Sequence, residues 1–273
     1  MNTPERPAPS NPTPHSGISR IGMIVPSSNT TMETELPELF RRQSQATGHK
    51  YTFHSARAAL KNVTPRELAV MAGKAAECSV SVSDANVDVI AYACLVAVMA
   101  QGPGAHEGAE TVIAEAARDN GHPARVTSSA GALVRTLTGM GARTVAMVTP
   151  YTPELTTLVS DYIRGAGIGV VEVVSLGVAD NLEVGRLDPE GLLEISRGLV
   201  RDGVDSVVLS ACVQMPSLSA IERVEVELGV PVITAATATA YEILTLLGHQ
   251  PAILGAGRLL DGSRRRDETL SHA

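Results

Sequence analysis

The 273-residue chain carries 22 basic and 29 acidic side chains, a formal net charge of −7, with 44% hydrophobic residues, 3% aromatics and no Trp. Hydrophobicity this high beside 19% charged residues excludes a disordered chain, and the acidic balance argues against nucleic acid, whose binding needs a basic face. The longest apolar run, Val89 to Ala100, is too short to cross a bilayer, and three cysteines without a CxxC do not make a disulfide framework; the expected location is the reducing cytoplasm.

Residues 1–18, with five prolines up to Pro14 and no apolar h-region, read as a mobile leader rather than a signal peptide. A strand at 21–25 (IGMIV) stops at Pro26, and the Thr30–Glu33 spacing predicts a capping box at the helix that follows. A helix is expected over 65–84 with Pro65 in its first turn, then a buried strand at 87–94 (VDVIAYAC), a helix at 110–121 and a strand at 124–129. The pattern then restarts. TVAMVTP (144–150) mirrors IGMIVP, with Thr152 and Pro153 opening a helix; VDSVVLSAC (204–212) mirrors VDVIAYAC; VPVITAATATA (230–240) mirrors ARVTSSAGALV. Pro26 to Cys94 spans 68 positions and Pro150 to Cys212 spans 62. GAGRLLDG (255–262) is expected at the end of the last strand, and 262–273, with its Arg run, is a mobile tail.

Three correspondences in the same order imply an α/β protein of two similar Rossmann-like parallel-sheet halves related by a pseudo-twofold axis. The expected first half is 19–133 plus 234–261, and the second is 134–233. Ligands of such sheets sit beyond the carboxyl ends of the strands, where Pro26, Cys94, Pro150 and Cys212 all fall. The expected site is the cleft between the halves, with the two cysteines facing each other across it.

Several chemistries drop out. There is no GxxxxGK[ST], GxGxxG or GxSxG, and the seven histidines stand singly without HExxH, so no nucleotide, no metal and no serine nucleophile is expected. Lysine occurs only at 50, 61 and 74, in segments that read as surface, which disfavours a pyridoxal phosphate Schiff base. Thiol chemistry remains. Cys94 and Cys212 each end a buried strand, with the backbone amides of Leu95–Val96 and Val213–Gln214 free to face an anion. An ordinary thiol is about 3% thiolate at pH 7; amide donors would lower its pKa and produce the nucleophile. The alternative is that both cysteines merely pack in the core. Cys78, inside a helical stretch, reads as core. The polar loop 26–31 (PSSNTT) offers neutral donors suited to a carboxylate, or a plain N-cap, and Tyr151 could offer its hydroxyl to a second carboxylate or line the cleft by packing. Asn181, expected in a loop after strand VVEVVSL, is not distinguishable from a turn residue on its own.

Taken together, PSSNTTMETELP, the Ala-Cys-Leu-Val after the second strand, TPYT, Asp180-Asn181 and SACVQMPSL resemble the maleate cis–trans isomerases of the aspartate/glutamate racemase superfamily, over about residues 19–257. The resemblance implies a cofactor-free enzyme converting maleate to fumarate, usually as a homodimer. By position, Cys94 matches the family's nucleophile and Cys212 its proton-handling cysteine. Asn29, Tyr151, Asn181 and the amides at Leu95–Val96 and Val213–Gln214 match its substrate-binding groups. Racemases of the superfamily carry Cys-Asn-Thr and Cys-Thr stretches, whereas Cys94-Leu95-Val96 and Cys212-Val213-Gln214 leave little to receive an ammonium group. Arylmalonate decarboxylases keep only the second cysteine.

The implied route has the Cys94 thiolate add at C2 while Cys212 protonates C3, giving a succinyl-cysteine that rotates about a single bond; an enediolate-like carbanion is the alternative. Asn29 and the amides beside one cysteine would grip one carboxylate, and Tyr151 and Asn181 would hold the other more loosely. Segment 97–108 and the loop after 176 are expected to move. Because a net charge of −7 does not attract a dianion, binding must rest on local neutral donors. The rivals are a racemase or decarboxylase on the same scaffold and a non-catalytic carboxylate-binding protein, which would keep its affinity with Cys94 blocked.

Overall fold

Short β-branched runs, apolar on successive positions rather than alternating, need cover on both faces, and helices supply it here. The computed structural model describes residues 17–199 and 203–263. In chain order the first part holds β1 (Ile18–Pro26), α1 (Met32–Thr47), β2 (Lys50–Ala58), α2 (Pro65–Gly73), α3 (Ala75–Ser83), β3 (Val89–Tyr92), α4 (Leu95–Met99), α5 (Ala105–Asp119), β4 (Arg125–Ser128) and α6 (Ser129–Gly139). It continues with β5 (Thr144–Thr149), α7 (Pro153–Gly165), β6 (Gly169–Ser175), α8 (Asn181–Val184), α9 (Pro189–Gly198), β7 (Ser206–Ser210), α10 (Ile221–Leu228), β8 (Val232–Thr234) and α11 (Ala235–Leu247).

The strands form two four-stranded sheets, ordered β2-β1-β3-β4 and β6-β5-β7-β8, with every adjacent pair parallel. The two orders are the same when each sheet is numbered from its own first strand, the topological form of the repeat read in the sequence. Central strands β3 and β7 are buried along their whole length, whereas edge strand β2 alternates between exposed and covered positions. Gly22 on β1 lets α3 come close: a Cβ there would lie 3.0 Å from Val87 and 3.1 Å from Val82. Helix α11, though it follows the second sheet in sequence, packs on α6, α1, β3 and β4.

Several expected elements differ in detail. The Thr30–Glu33 capping box does not form; α1 starts at Met32, whose N–H is taken by the Asn29 side chain, and Glu33 pairs with Arg57. The helix expected over 65–84 is broken at Lys74 into α2 and α3, and the one expected from 110 begins five residues earlier, at Ala105. The run 230–240 is strand only to Thr234, whose side chain caps α11 with Thr237 in a reciprocal pair. GAGRLLDG ends no strand; it is a turn-rich segment after α11, closed by Ile253 N–H to Leu260 C=O at 2.7 Å. Within 97–108, residues 97–99 belong to the buried α4 and 105–108 to α5, leaving a short link with Gly102 and Gly104 at φ 104° and 75°. The expected leader and tail lie outside the described residues except for Gly17, Ile18, Gly262 and Ser263.

Candidate active site

β3 and β7 are the central strands beside β1 and β5, so the chain leaving their carboxyl ends emerges mid-sheet, toward the other half. Cys94 follows β3 as the N-cap residue of α4, which sets Leu95 and Val96 in its first turn, where helical N–H groups have no intrahelical partner. Cys212 follows β7 but enters an irregular loop instead of a helix. That loop is fixed by Ser210 Oγ donating to the Cys212 carbonyl at 2.8 Å and the Met215 carbonyl at 3.4 Å. The two cysteines are thus equivalent in topology and different in local backbone.

One cavity is lined by all nine residues expected from the sequence: Asn29, Cys94, Leu95, Val96, Tyr151, Asn181, Cys212, Val213 and Gln214. Pro26, Leu60 and Val63 complete its wall. The free space is about 10 Å³, room for at most a single water. A four-carbon dicarboxylate needs more room than this, so the wall must shift to admit it. The roof is a clasp between the halves: Asn62 bridges Asp180 in antiparallel fashion and Val63 N–H donates to Ala179 C=O at 3.3 Å. Leu60 and Val63 are buried beneath it.

Burial dominates the electrostatics of the thiols. Expulsion from water pushes Cys94 up to about 12, with the Ala97 N–H pulling down and the neighbouring Cys212 pushing up again. Cys212 is also raised by burial, but three donors offset it: the Tyr151 hydroxyl, the Gln214 N–H at 3.3 Å and the Met215 N–H. Of the amides anticipated beside the sulfurs only Gln214 donates to one; Ala97 and Met215 stand where Leu95, Val96 and Val213 were expected, and the donors do not bring the thiols below their ordinary values, because desolvation is the larger effect. Of the two, Cys212 is the better furnished to carry charge. Cys78 lies away from the cavity on α3, buried, and its thiol is likewise raised by burial.

The side chains expected to grip the carboxylates are bonded within the protein. Asn29, fully buried, accepts from Met32 N–H at 2.9 Å and donates Nδ2 to the Val213 carbonyl at 3.3 Å. Asn181 is the first residue of α8 rather than a loop residue, placed by the Asp180 cap, and donates Nδ2 to Ser28 Oγ at 2.8 Å. The Tyr151 hydroxyl, expected to face a carboxylate, is bonded to Cys212. Each of these groups can turn to a ligand by giving up one internal bond.

What the sequence did not single out is the brace between the first loop and the Cys212 loop. Gln214 joins Ser28, Thr30 and Thr31 through its side chain. Thr31 Oγ1 donates to the Gln214 carbonyl at 2.6 Å, and half-buried Glu35 accepts from the N–H groups of Ser217 and Leu218 at 2.6 and 2.8 Å. Burial raises the Glu35 pKa despite those donors. Partners more than 180 positions apart leave no local signal in a single sequence. No group of three or more His, Cys, Asp or Glu residues that could hold a metal occurs among the described residues.

The arylmalonate decarboxylase family model matches residues 21–260. A maleate isomerase from Geobacillus stearothermophilus is 50% identical over 244 residues, covering 89% of this chain and 97% of that one. Among solved structures, a cysteine-to-alanine variant of the maleate isomerase Iso from Pseudomonas putida S16, crystallised with maleate, superposes with a TM-score of 0.89 at 45% identity, covering 90% of this chain and 98% of that one. A cysteine-to-serine variant of the Nocardia farcinica maleate cis–trans isomerase, carrying a covalently bound succinylcysteine intermediate, gives 0.87 at 46% identity over 90% of this chain and 99% of that one. The chain therefore belongs to the arylmalonate decarboxylase family and, within it, to the maleate isomerases.

Proposed function

We propose that this chain isomerises maleate to fumarate without a cofactor, through a succinyl-cysteine on Cys94 with Cys212 handling the proton. The observation that carries the proposal is that two buried thiols, Tyr151, Asn29 and Asn181 share one closed cavity, in a chain about half identical to maleate isomerases and similar to one trapped as a succinylcysteine adduct.

The unequal supply of donors orders the steps. Burial keeps both thiols protonated at rest; Cys212, with three donors against one on Cys94, is the sulfur on which transient negative charge is less costly. As the Cys94 sulfur bonds to C2 it gives up its proton to Cys212 while Cys212 delivers its own to C3, so an S–H is added across the double bond and Cys212 ends protonated as it began. Rotation about the resulting C2–C3 single bond carries one carboxylate to the opposite side. Cys212 then takes the proton from C3 while returning its own to Cys94, the C2–S bond breaks, and fumarate leaves. Asn29 and the first-turn amides of α4 hold one carboxylate; Tyr151 and Asn181, on the other half, release and re-grip the second. The apolar wall of Leu60, Val63, Leu95, Val96 and Val213 fits the CH=CH unit and offers nothing to an ammonium group, which separates this reading from an amino-acid racemase.

In this reading the first half comprises 19–133 with 234–261 and the second 134–233, supported by the packing of α11 on α6 and α1. The proposal includes a homodimer in the cytoplasm, consistent with three free cysteines and with no helix long and apolar enough to cross a membrane among the described residues. The test is proton NMR of maleate incubated with purified, chelator-treated protein. Growth of the fumarate signal is expected; no conversion, or conversion only after a metal is restored, overturns the proposal.

A further inference from the structure

We infer that the side chain of Gln214 is a positioning residue that holds the proton-handling thiol and both asparagine grips in one arrangement; the inference rests on the isomerase reading of this site. Its primary amide has two donors and two acceptor lone pairs, and all are used. Oε1 accepts from Thr30 N–H at 2.9 Å and Thr31 N–H at 3.3 Å, while Nε2 donates to the Ser28 carbonyl at 3.2 Å and the Asn181 carbonyl at 2.9 Å. The residue is 2% exposed, so these bonds are shielded from bulk water. Its own backbone N–H donates to Cys212 Sγ. One residue therefore ties the loop carrying Asn29, the helix headed by Asn181 and the Cys212 sulfur into a single unit that spans both halves.

Gly185 makes room for this. A Cβ at that position would lie 2.5 Å from Gln214 Nε2 and 3.1 Å from Thr30 Oγ1, so any larger side chain pushes the amide out of its seat. Gly185 has φ −69°, which alanine adopts freely; the penalty of an added methyl falls on Gln214 and not on the backbone. The groups bonded to the amide are all neutral, and the titratable residues lining the cavity are Cys94, Cys212 and Tyr151.

The test compares Gln214→Ala, Gly185→Ala and the double variant with wild type. With maleate, both single variants should lose about a hundredfold in kcat, the usual effect of an ångström-scale misplacement of a reacting group, with KM changed less than threefold. A change confined to KM or to the thermal midpoint overturns the inference. Adding Gly185→Ala to Gln214→Ala should reduce kcat no further, since the amide it displaces is already gone; multiplicative losses overturn the mechanism drawn here. A substrate-free readout covers the case in which wild type does not convert maleate, which would sink the isomerase reading alone. Amide hydrogen exchange in peptides 26–35 and 181–187 should speed up at least tenfold in Gln214→Ala, and unchanged exchange overturns the inference whatever the activity.

Discussion

The Tyr151 hydroxyl, fully buried, donates to the thiol of Cys212 and not to that of Cys94. A phenol aimed at one sulfur of a topologically equivalent pair breaks their equivalence, and it favours negative charge on Cys212. Tyr151→Phe removes that donor while keeping the ring in place. The expected loss in kcat/KM for maleate is about 10²- to 10³-fold, comparable to deleting one donor from an oxyanion site. The ascending limb of the pH–rate profile should move to higher pH, because the lost bond stabilised the thiolate. A profile that keeps its midpoint would show that the hydroxyl serves only the substrate.

Cys94→Ala should abolish turnover, and Cys212→Ser should leave an enzyme that forms or retains an adduct without completing the cycle. Intact-protein and peptide mass spectra after incubation with maleate should show a succinyl addition on the peptide containing Cys94 in the Cys212→Ser variant. Cys78→Ala, on α3 and outside the cavity, should turn over maleate within about twofold of wild type, with a stability loss on the order of 1 kcal/mol for a small buried truncation. An inactive Cys78→Ala, or succinylation found at Cys212, contradicts the roles drawn above.

The buried thiols also set an alkaline limit to stability. Cys94 is raised to about 12 and Cys212 in the same direction, each above the roughly 8.5 of an unfolded chain. The folded protein thus holds these protons more tightly than the unfolded one. The associated stability is fully present below the unfolded value and is lost as pH rises toward the folded ones. Thermal midpoints should fall from pH 8 to pH 10.5, and the fall should be shallower in the Cys94→Ala, Cys212→Ala double variant. Equal slopes in the two proteins would mean that the thiols do not titrate between the states.

The repeat was legible because each half writes the same order of strand, stop and helix. Pro26 and Pro150, then Cys94 and Cys212, mark strand exits that the pleat and the parallel order bring to one side. The polar residues of PSSNTT could be placed near those exits from their position after the first strand, and Asp180–Asn181 only from the resemblance. Three features were not readable. The N-cap of α1 is Thr31, and its first free N–H, that of Met32, goes to Asn29 and not to Thr30, since the choice depends on where the chain turns after Pro26. The sign of the thiol shifts depends on the closure of the cavity, a tertiary quantity that outweighs the local amide donors. The bonds from Gln214 and Glu35 to residues on the other half depend on how two units dock, which no periodicity within either unit encodes.

The clasp over the cavity has its own anchor outside the site. Glu67 accepts from Lys61 N–H at 2.7 Å and Asn62 N–H at 2.9 Å through one oxygen, and from Asn62 Nδ2 at 3.0 Å through the other. These bonds hold its carboxyl below the ordinary glutamate range. They pin the strip that carries Leu60 and Val63 and that bridges to Ala179 and Asp180. Glu67→Ala should leave the thiols and grips in place but let the strip sample open positions, weakening the closed complex more than the chemistry. The expected result is a KM for maleate raised about threefold to tenfold, with kcat less affected, and faster alkylation of Cys94 by iodoacetamide in the absence of substrate. Because the folded carboxyl is the stronger acid, the anchor persists above its ordinary pKa and fails as pH falls through the depressed folded value. Wild type should therefore approach the alkylation behaviour of Glu67→Ala only at the acid end. Equal KM and equal alkylation rates in the two proteins at neutral pH would show that the clasp closes without this carboxylate.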